Sequence, residues 1–360
     1  MTTETFWTKK NIIRFVLFLV AVVVAVTAFS NAFTGKGQYA EGWYEIDLTA
    51  ETQPVLYDSG MKLLYYAEGS EAEVKSRLKT VSELYSGALL AIYERLDSDT
   101  TYDDCVNIAS VNEGKNTPVQ VDQSLFDILC EAKRLDEAND SYNMLAGALY
   151  REWQTLLYLE EPSEFDPLNN EDEAQRISDI ARMVNSDAVS FEIVDEKERL
   201  VRLNVSEEYW KFARENEVKA PVLDLNQLKN AFMAEAVADS LTQAGITKTV
   251  ISFADGMTLN VETGEGSVPM SVEAPEGVKY GFYVVEKDGR KVYRNDRFDV
   301  RTGESGDAVG MCIVTGTAKL HDMALDVQTA ASLKMNEVDD FIREIGKKKD
   351  ETMAVTLLTE

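Results

Sequence analysis

"VLDLNQLKNAFMAEAVADSL", residues 222–241, opens like a loop built to hold a ligand. The apolar pair Val222 and Leu223 runs into Asp224, which predicts a strand end over 222–224. A turn follows, then a helical pattern with Leu228, Phe232 and later apolar residues on one side. A phosphate-cradling loop at this point is glycine-rich, because missing side chains let backbone N–H groups approach the anion. It also carries a lysine against the phosphate charge. Here the turn reads Asn226-Gln227-Leu228-Lys229-Asn230-Ala231, without a glycine.

The surrounding chain sets limits on what the loop serves. Its 360 residues suffice for a large domain with a real core. A net charge of -27 repels phosphate backbones, which argues against nucleic acid as a partner. The basic run Lys347-Lys348-Lys349 is followed by Asp350 and Glu351 and reads as a solvated helix end. Cys105, Cys130 and Cys312 are odd in number and far apart, which fits buried or half-buried free thiols, not a disulfide framework or metal cluster.

Lys9, Lys10 and Arg14 precede an apolar run that extends to Phe33. Counted from Ile12, the run is about as long as a bilayer is thick. The leading positive charge predicts a cytoplasmic N-terminus and an extracytoplasmic remainder. The expected organisation is a cytoplasmic stub over 1–11, a transmembrane anchor over 12–33, a polar linker over 34–55 and a folded domain over 56–360. A cleaved signal peptide is the competing reading, since Ala28-Phe29-Ser30 fits a small-x-small site; the length of the apolar run favours the anchor.

Within the domain, Lys62–Ala67 reads as a strand and Glu71–Leu96 as an amphipathic helix with Val74, Leu78, Val81, Leu84, Ala88 and Ile92 on one face. Asp122 caps a second helix. Further helical patterns fall near 150–159 and 173–184, with a polar, proline-bearing loop at 160–173 between them. Strands are expected over 189–194, 200–205, 249–253, 259–261, 268–272, 280–285, 310–314 and 353–358, with late helices over 320–333 and 336–345. Such mixed blocks predict an α+β fold of mixed sheets with packed helices.

The order of short motifs resembles the ApbE family of FAD:protein FMN transferases. Asp224 to Phe232 stands where the family has Asp-Leu-Gly-Gly-Ile-Ala-Lys-Gly-Tyr, with Glu235 at its later acid. Lys229 sits one position early. Tyr142 to Leu149, with Gly147 in place, matches a Phe-Asp-x-x-x-Gly-Pro-Leu motif, and Ile108 to Asn112 a serine-rich segment ending in Asn. Asp255-Gly256 stands for a Gly-Gly. Asp296 to Gly303 maps onto His-x-x-Asp-Pro-x-Thr-Gly, keeping Asp299, Thr302 and Gly303. His321 to Val327 maps onto Ala-Asp-Ala-x-x-Thr-Ala, keeping Asp322 and replacing the threonine by Asp326. The resemblance implies an ApbE-like domain with Asp224, Phe232, Asp299, Thr302 and Gly303 at a flavin site, FAD as donor, and Mg2+ on Asp322 and Asp326.

Two acids four apart share a helix face, and oxygen ligands suit magnesium. The plainer reading is two solvated acids on an acidic surface. His321, the one histidine, reads as a surface residue, so no Ser-His-Asp or Cys-His arrangement is available. Tyr65, Tyr66, Trp153 and Phe232 fit core packing before flavin stacking. The lost glycines, lysine and histidine imply weak or absent Mg-dependent FMN transfer to a partner membrane protein. The alternative is a non-catalytic extracytoplasmic binding or accessory module on the same scaffold.

Overall fold

The structure, a computed structural model, describes residues 39–49, 60–273, 280–287, 289–306, 308–348 and 350–357. The stub and anchor expected over 1–33 lie outside these residues. Among the described residues no helix is long and apolar enough to cross a membrane.

An antiparallel seven-stranded sheet forms the centre. In spatial order it runs β1 (Gly42–Glu45), β2 (Lys62–Ala67), β6 (Thr249–Ser252), β7 (Thr258–Asn260), β8 (Gly266–Ser271), β11 (Val309–Gly316) and β12 (Glu351–Leu357), numbered along the chain. Side chains alternate across it: Leu63, Tyr65 and Ala67 of β2 are buried while Lys62 is exposed. A second sheet holds β3 (Val119–Gln120), β5 (Leu200–Val205) and β4 (Val189–Asp195) in that order. The hairpin β9 (Tyr283–Lys287) and β10 (Arg290–Arg294) stands apart.

The helices are α1 (Glu71–Leu96), α2 (Ile108–Gly114), α3 (Gln123–Ala138), α4 (Gly147–Leu157), α5 (Pro162–Phe165), α6 (Glu171–Val184), α7 (Glu207–Glu215), α8 (Lys229–Gln243), α9 (Leu320–Ser332) and α10 (Val338–Ile345). At the start of α1 the Glu73 carboxylate accepts from the Ser70 backbone N–H at 2.8 Å, and Val74, Val81, Tyr85, Leu89, Ile92 and Leu96 form its buried stripe. At the start of α3, Asp122 accepts from Leu125 N at 2.9 Å, as the sequence predicts. Helix α8 packs on α1, and α9 packs on β8 and β11. Leu320, Met323, Ala324, Val327 and Ala330 of α9 are buried, so the sheet carries this helix at a fixed height beside α8.

The α+β expectation holds. Three local expectations are corrected. Part of the expected linker is β1, which pairs with β2 from Gly42↔Ala67 to Glu45↔Leu64. The expected 160–173 loop contains α5, started by Pro162 at its first turn. The expected strand at 222–224 is irregular backbone, because a side chain replaces the neighbouring strand: Asn112 Oδ1 accepts from Leu223 N, and Asn112 Nδ2 donates to Leu223 O, both at 2.9 Å. Helices α2 and α7 and strands β3 and β10 were not expected.

Candidate functional site

The ligand-type loop is built from its neighbours inward. Gly147 N donates to Val222 O at 3.1 Å, and a Cβ on Gly147 would lie 2.4 Å from Pro221 O, so only glycine lets α4 approach this backbone. Asp224 N donates to Met144 O at 2.9 Å. The Asp224 carboxylate accepts from Ser98 Oγ at 2.8 Å and from Asn226 N at 2.9 Å, and burial raises its pKa. Asn226 has φ +42°, the left-handed conformation that glycine takes most easily and asparagine next. The turn thus has a glycine-type backbone without a glycine. Lys229 Nζ lies over the Tyr93 ring, 4.9 Å from its centroid.

Gln227 joins this loop to the second expected segment: its Nε2 donates to Asp296 O at 2.7 Å. Beyond Asp296, the retained residues hold a turn together. The buried Asp299 carboxylate accepts from Arg301 N and Nε at 2.9 Å each and from Nη2 at 3.0 Å. Gly303 has φ +77° and donates its N–H to Asp299 O at 2.7 Å. Its own carbonyl accepts from Trp153 Nε1 at 2.9 Å. Thr302 is exposed, and its Oγ1 accepts from Glu304 N at 3.2 Å. Asp299, Thr302 and Gly303 therefore come together, through bonds that complete a turn.

The first turns of α9 carry the expected metal ligands, and each meets a different cation. Asp322 Oδ1 accepts from Arg134 Nη2 of α3 at 3.1 Å. Asp326, buried four residues on, is bonded by Lys348 Nζ, which also lies 3.2 Å from Glu351 Oε2. Burial and the adjoining Asp326 push the Glu351 carboxyl up to about 7. Lys348, just past the end of α10, is exposed, as its basic run suggests, and is paired with Asp326 and Glu351.

His321 is also corrected: it is buried, at 5% exposure. Its ring stacks on Phe232 of α8, centroids 4.9 Å apart and 24° between planes. Phe232 thereby spends a face on a histidine. Nδ1 lies 2.8 Å from Glu235 Oε2 and Nε2 lies 3.0 Å from Glu131 Oε1. Burial works against the imidazolium, but Glu235, Asp322 and Glu131 outweigh it and raise the pKa, so His321 donates to carboxylates on both sides. Ligand atoms of Glu131, His321 and Asp322 all lie within 4.8 Å of one another. Among the described residues this is the set with donors for a metal ion, and it contains Asp322 without Asp326. Arg134, which also bonds Glu131 at 2.6 and 2.9 Å, supplies positive charge there.

A magnesium ion shared by Asp322 and Asp326 does not fit this donor arrangement, since both Arg134 and Lys348 would have to leave. Tyr142 Oη, Tyr150 Oη, Gln227 Oε1, Arg297 Nη1 and Gln328 Oε1 are each buried without a hydrogen-bond partner among the described residues. Sequence reading missed Arg297, Glu131, Arg134 and Lys348.

The ApbE family model matches residues 69–287, well over half of the chain. The chain belongs to the ApbE family. Its fold is also similar to the ApbE protein of Thermotoga maritima, with 14% identity, a TM-score of 0.55, and coverage of 88% of this chain and 94% of that one. The flavin transferase ApbE of Vibrio cholerae matches with 10% identity and a TM-score of 0.55 over 88% of this chain and 97% of the other. The Pseudomonas stutzeri flavinyl transferase ApbE, in its apo form, matches with 9% identity and a TM-score of 0.51 over 82% and 90%. At these identities the structural likeness shows the ApbE fold alone. No curated protein sequence matches.

Proposed function

We propose that this ApbE-family chain is a membrane-anchored, extracytoplasmic protein that binds a flavin nucleotide, with weak or no transfer of FMN to a partner membrane protein. One observation carries the reading: the two acids that would share Mg2+ are held by separate protein cations, Arg134 on Asp322 and Lys348 on Asp326. Without a metal on the diphosphate, charge developing during phosphoryl transfer is left without its main stabiliser. Asp224, Phe232, Asp299, Thr302 and Gly303 enter the proposal as residues that shape the flavin site. A non-catalytic binding or accessory module is the second reading. The Gln227–Asp296 bond favours it, because that side chain spans the gap between the two loops.

The test is to incubate the full-length chain with FAD and Mg2+ and follow flavin fluorescence and AMP release. Saturable fluorescence with little AMP is expected. Sustained Mg-dependent AMP release would remove the degenerate reading; no saturable flavin signal would leave the accessory module. The anchor is tested separately, by membrane fractionation and by protease access to the domain from the outer side.

A further inference from the structure

Three helices bring acids to one imidazole. His321 stands in the first turn of α9 with Asp322 beside it, Glu235 comes from α8 and Glu131 from α3. Glu235 fixes the histidine: its carboxylate accepts from His321 N at 3.2 Å and lies 2.8 Å from Nδ1. Phe232, stacked on the ring, covers one face. Nε2 is left to the two remaining acids, 3.0 Å from Glu131 Oε1 and 3.9 Å from Asp322 Oδ2. The ring is buried, yet the Glu131 and Asp322 side chains are 31% and 35% exposed, so the open side of the cluster reaches solvent.

These separations suit a tetrahedral metal ion. Nitrogen and carboxylate ligands at roughly 2.0–2.2 Å from zinc stand about 3.4 Å from one another. The two Nε2 separations lie on either side of that spacing. A metal-bound imidazole donates its other N–H to a carboxylate, which sets the tautomer and the ring orientation; Glu235 on Nδ1 has that place. The same two carboxylates already hold a cation, since Arg134 bonds Glu131 at 2.6 and 2.9 Å and Asp322 at 3.1 Å. The Arg134 side chain is 53% exposed, so it is free to turn outward when a smaller, doubly charged ion takes its place.

We propose that His321 Nε2, Glu131 and Asp322 bind a zinc-class divalent cation, with Glu235 orienting the imidazole from behind. The metal replaces the Nε2 proton, which leaves to solvent, and a fourth coordination position stays open to water. The nitrogen donor separates this centre from the magnesium pair that the family resemblance implies: magnesium takes oxygen ligands, whereas imidazole suits zinc. Asp326 takes no part, because Lys348 holds it. Replacing one proton by a divalent ion also adds positive charge among three carboxylates, Glu131, Glu235 and Asp322. The inference goes beyond the proposed function and needs neither FAD nor transfer.

The test is calorimetric titration of the full-length chain, purified without a polyhistidine tag, with Zn2+ and separately with Mg2+, in the absence of flavin. Saturable zinc binding is expected, with Mg2+ about a hundredfold weaker. His321 is the sole histidine, so imidazole NMR over the same titration reads one ring, and zinc should shift its resonances. H321Q should weaken zinc about tenfold or more. E131Q, at a partly exposed position, should do the same and keeps the test sound if H321Q fails to fold. R134Q removes the competing cation and should tighten zinc several-fold. C130S, one residue from Glu131, should bind zinc as the native chain does. The centre is overturned by any of five results: no saturable zinc binding, an unmoved His321 ring, Mg2+ binding as tight as zinc, zinc affinity untouched by H321Q and E131Q, or zinc affinity lost in C130S.

Discussion

Two turns border the candidate site, and they compare in opposite ways with the motifs they resemble. The 224–230 loop has no glycine, yet Asn226 stands at φ +42° in a glycine-type conformation. In the 299–303 turn, Asp299, Thr302 and Gly303 match the motif, and all three serve the turn itself: Arg301 takes the carboxylate, Trp153 takes the Gly303 carbonyl. A retained residue is thus no proof of a retained contact, and a replaced residue no proof of a changed backbone. The reason is that Asp and Gly have local structural work in tight turns, whereas lysine and paired glycines have little reason to persist without a ligand.

The largest break in this comparison comes from Gly303. A Cβ there would meet Ile177 Cγ2 at 2.4 Å, and φ +77° is unfavourable for any other residue. Gly303→Ala should cost about 3 kcal/mol, combining left-handed strain with overpacking. Thermal or urea unfolding reads it. A cost below about 1 kcal/mol would mean the turn is not held as tightly as its bonds indicate.

Asp136 gives the next effect, on the other turn. Its carboxylate accepts from the Met144 backbone, whose carbonyl in turn holds Asp224 N, and burial raises its pKa from 3.8 to about 6. The folded chain therefore keeps a proton that the unfolded chain has released. That stabilisation is full below pH 3.8, falls as pH rises toward 6, and is gone above it. Asp136→Asn, uncharged throughout, should be more stable than the native chain at pH 7 by about 2 kcal/mol and should lose the pH slope. Unfolding midpoints measured from pH 4 to 8 decide it; parallel profiles for the two chains would refute the linkage.

The same two turns show how far the sequence carries. Periodicity reports burial on one face, so α1 is legible from Val74 to Ile92 and β2 from Leu63 to Ala67, whereas the short β1 was read as linker. Helix α7 was readable too: Ser206 accepts from Tyr209 N at 3.2 Å, with Glu207 and Glu208 in the first turn, but its nine residues are too few to show a period. Partner choice is not periodic. That Asn112 completes the backbone at Leu223, that Lys348 crosses to Asp326, and that His321 sits between Glu131 and Glu235 all depend on contacts across 22 to 190 positions. The site residues were therefore legible as places in an order of motifs, while their bonds were not.

Asn226 supplies the finest discrimination. If the loop's shape rests on a left-handed residue, Asn226→Gly should change stability by no more than about 0.5 kcal/mol, since glycine adopts φ +42° freely and only the Asn226 Nδ2 bond to Asp224 O at 3.3 Å is lost. Asn226→Ala should cost about 1 kcal/mol more than Asn226→Gly, because alanine has neither glycine's freedom nor asparagine's local hydrogen bond. Denaturant melts of the two variants provide the comparison. Equal stabilities would show that the backbone here is set by Asp224 and Gln227, with position 226 following them, and the two turns would then differ less than their sequences suggest.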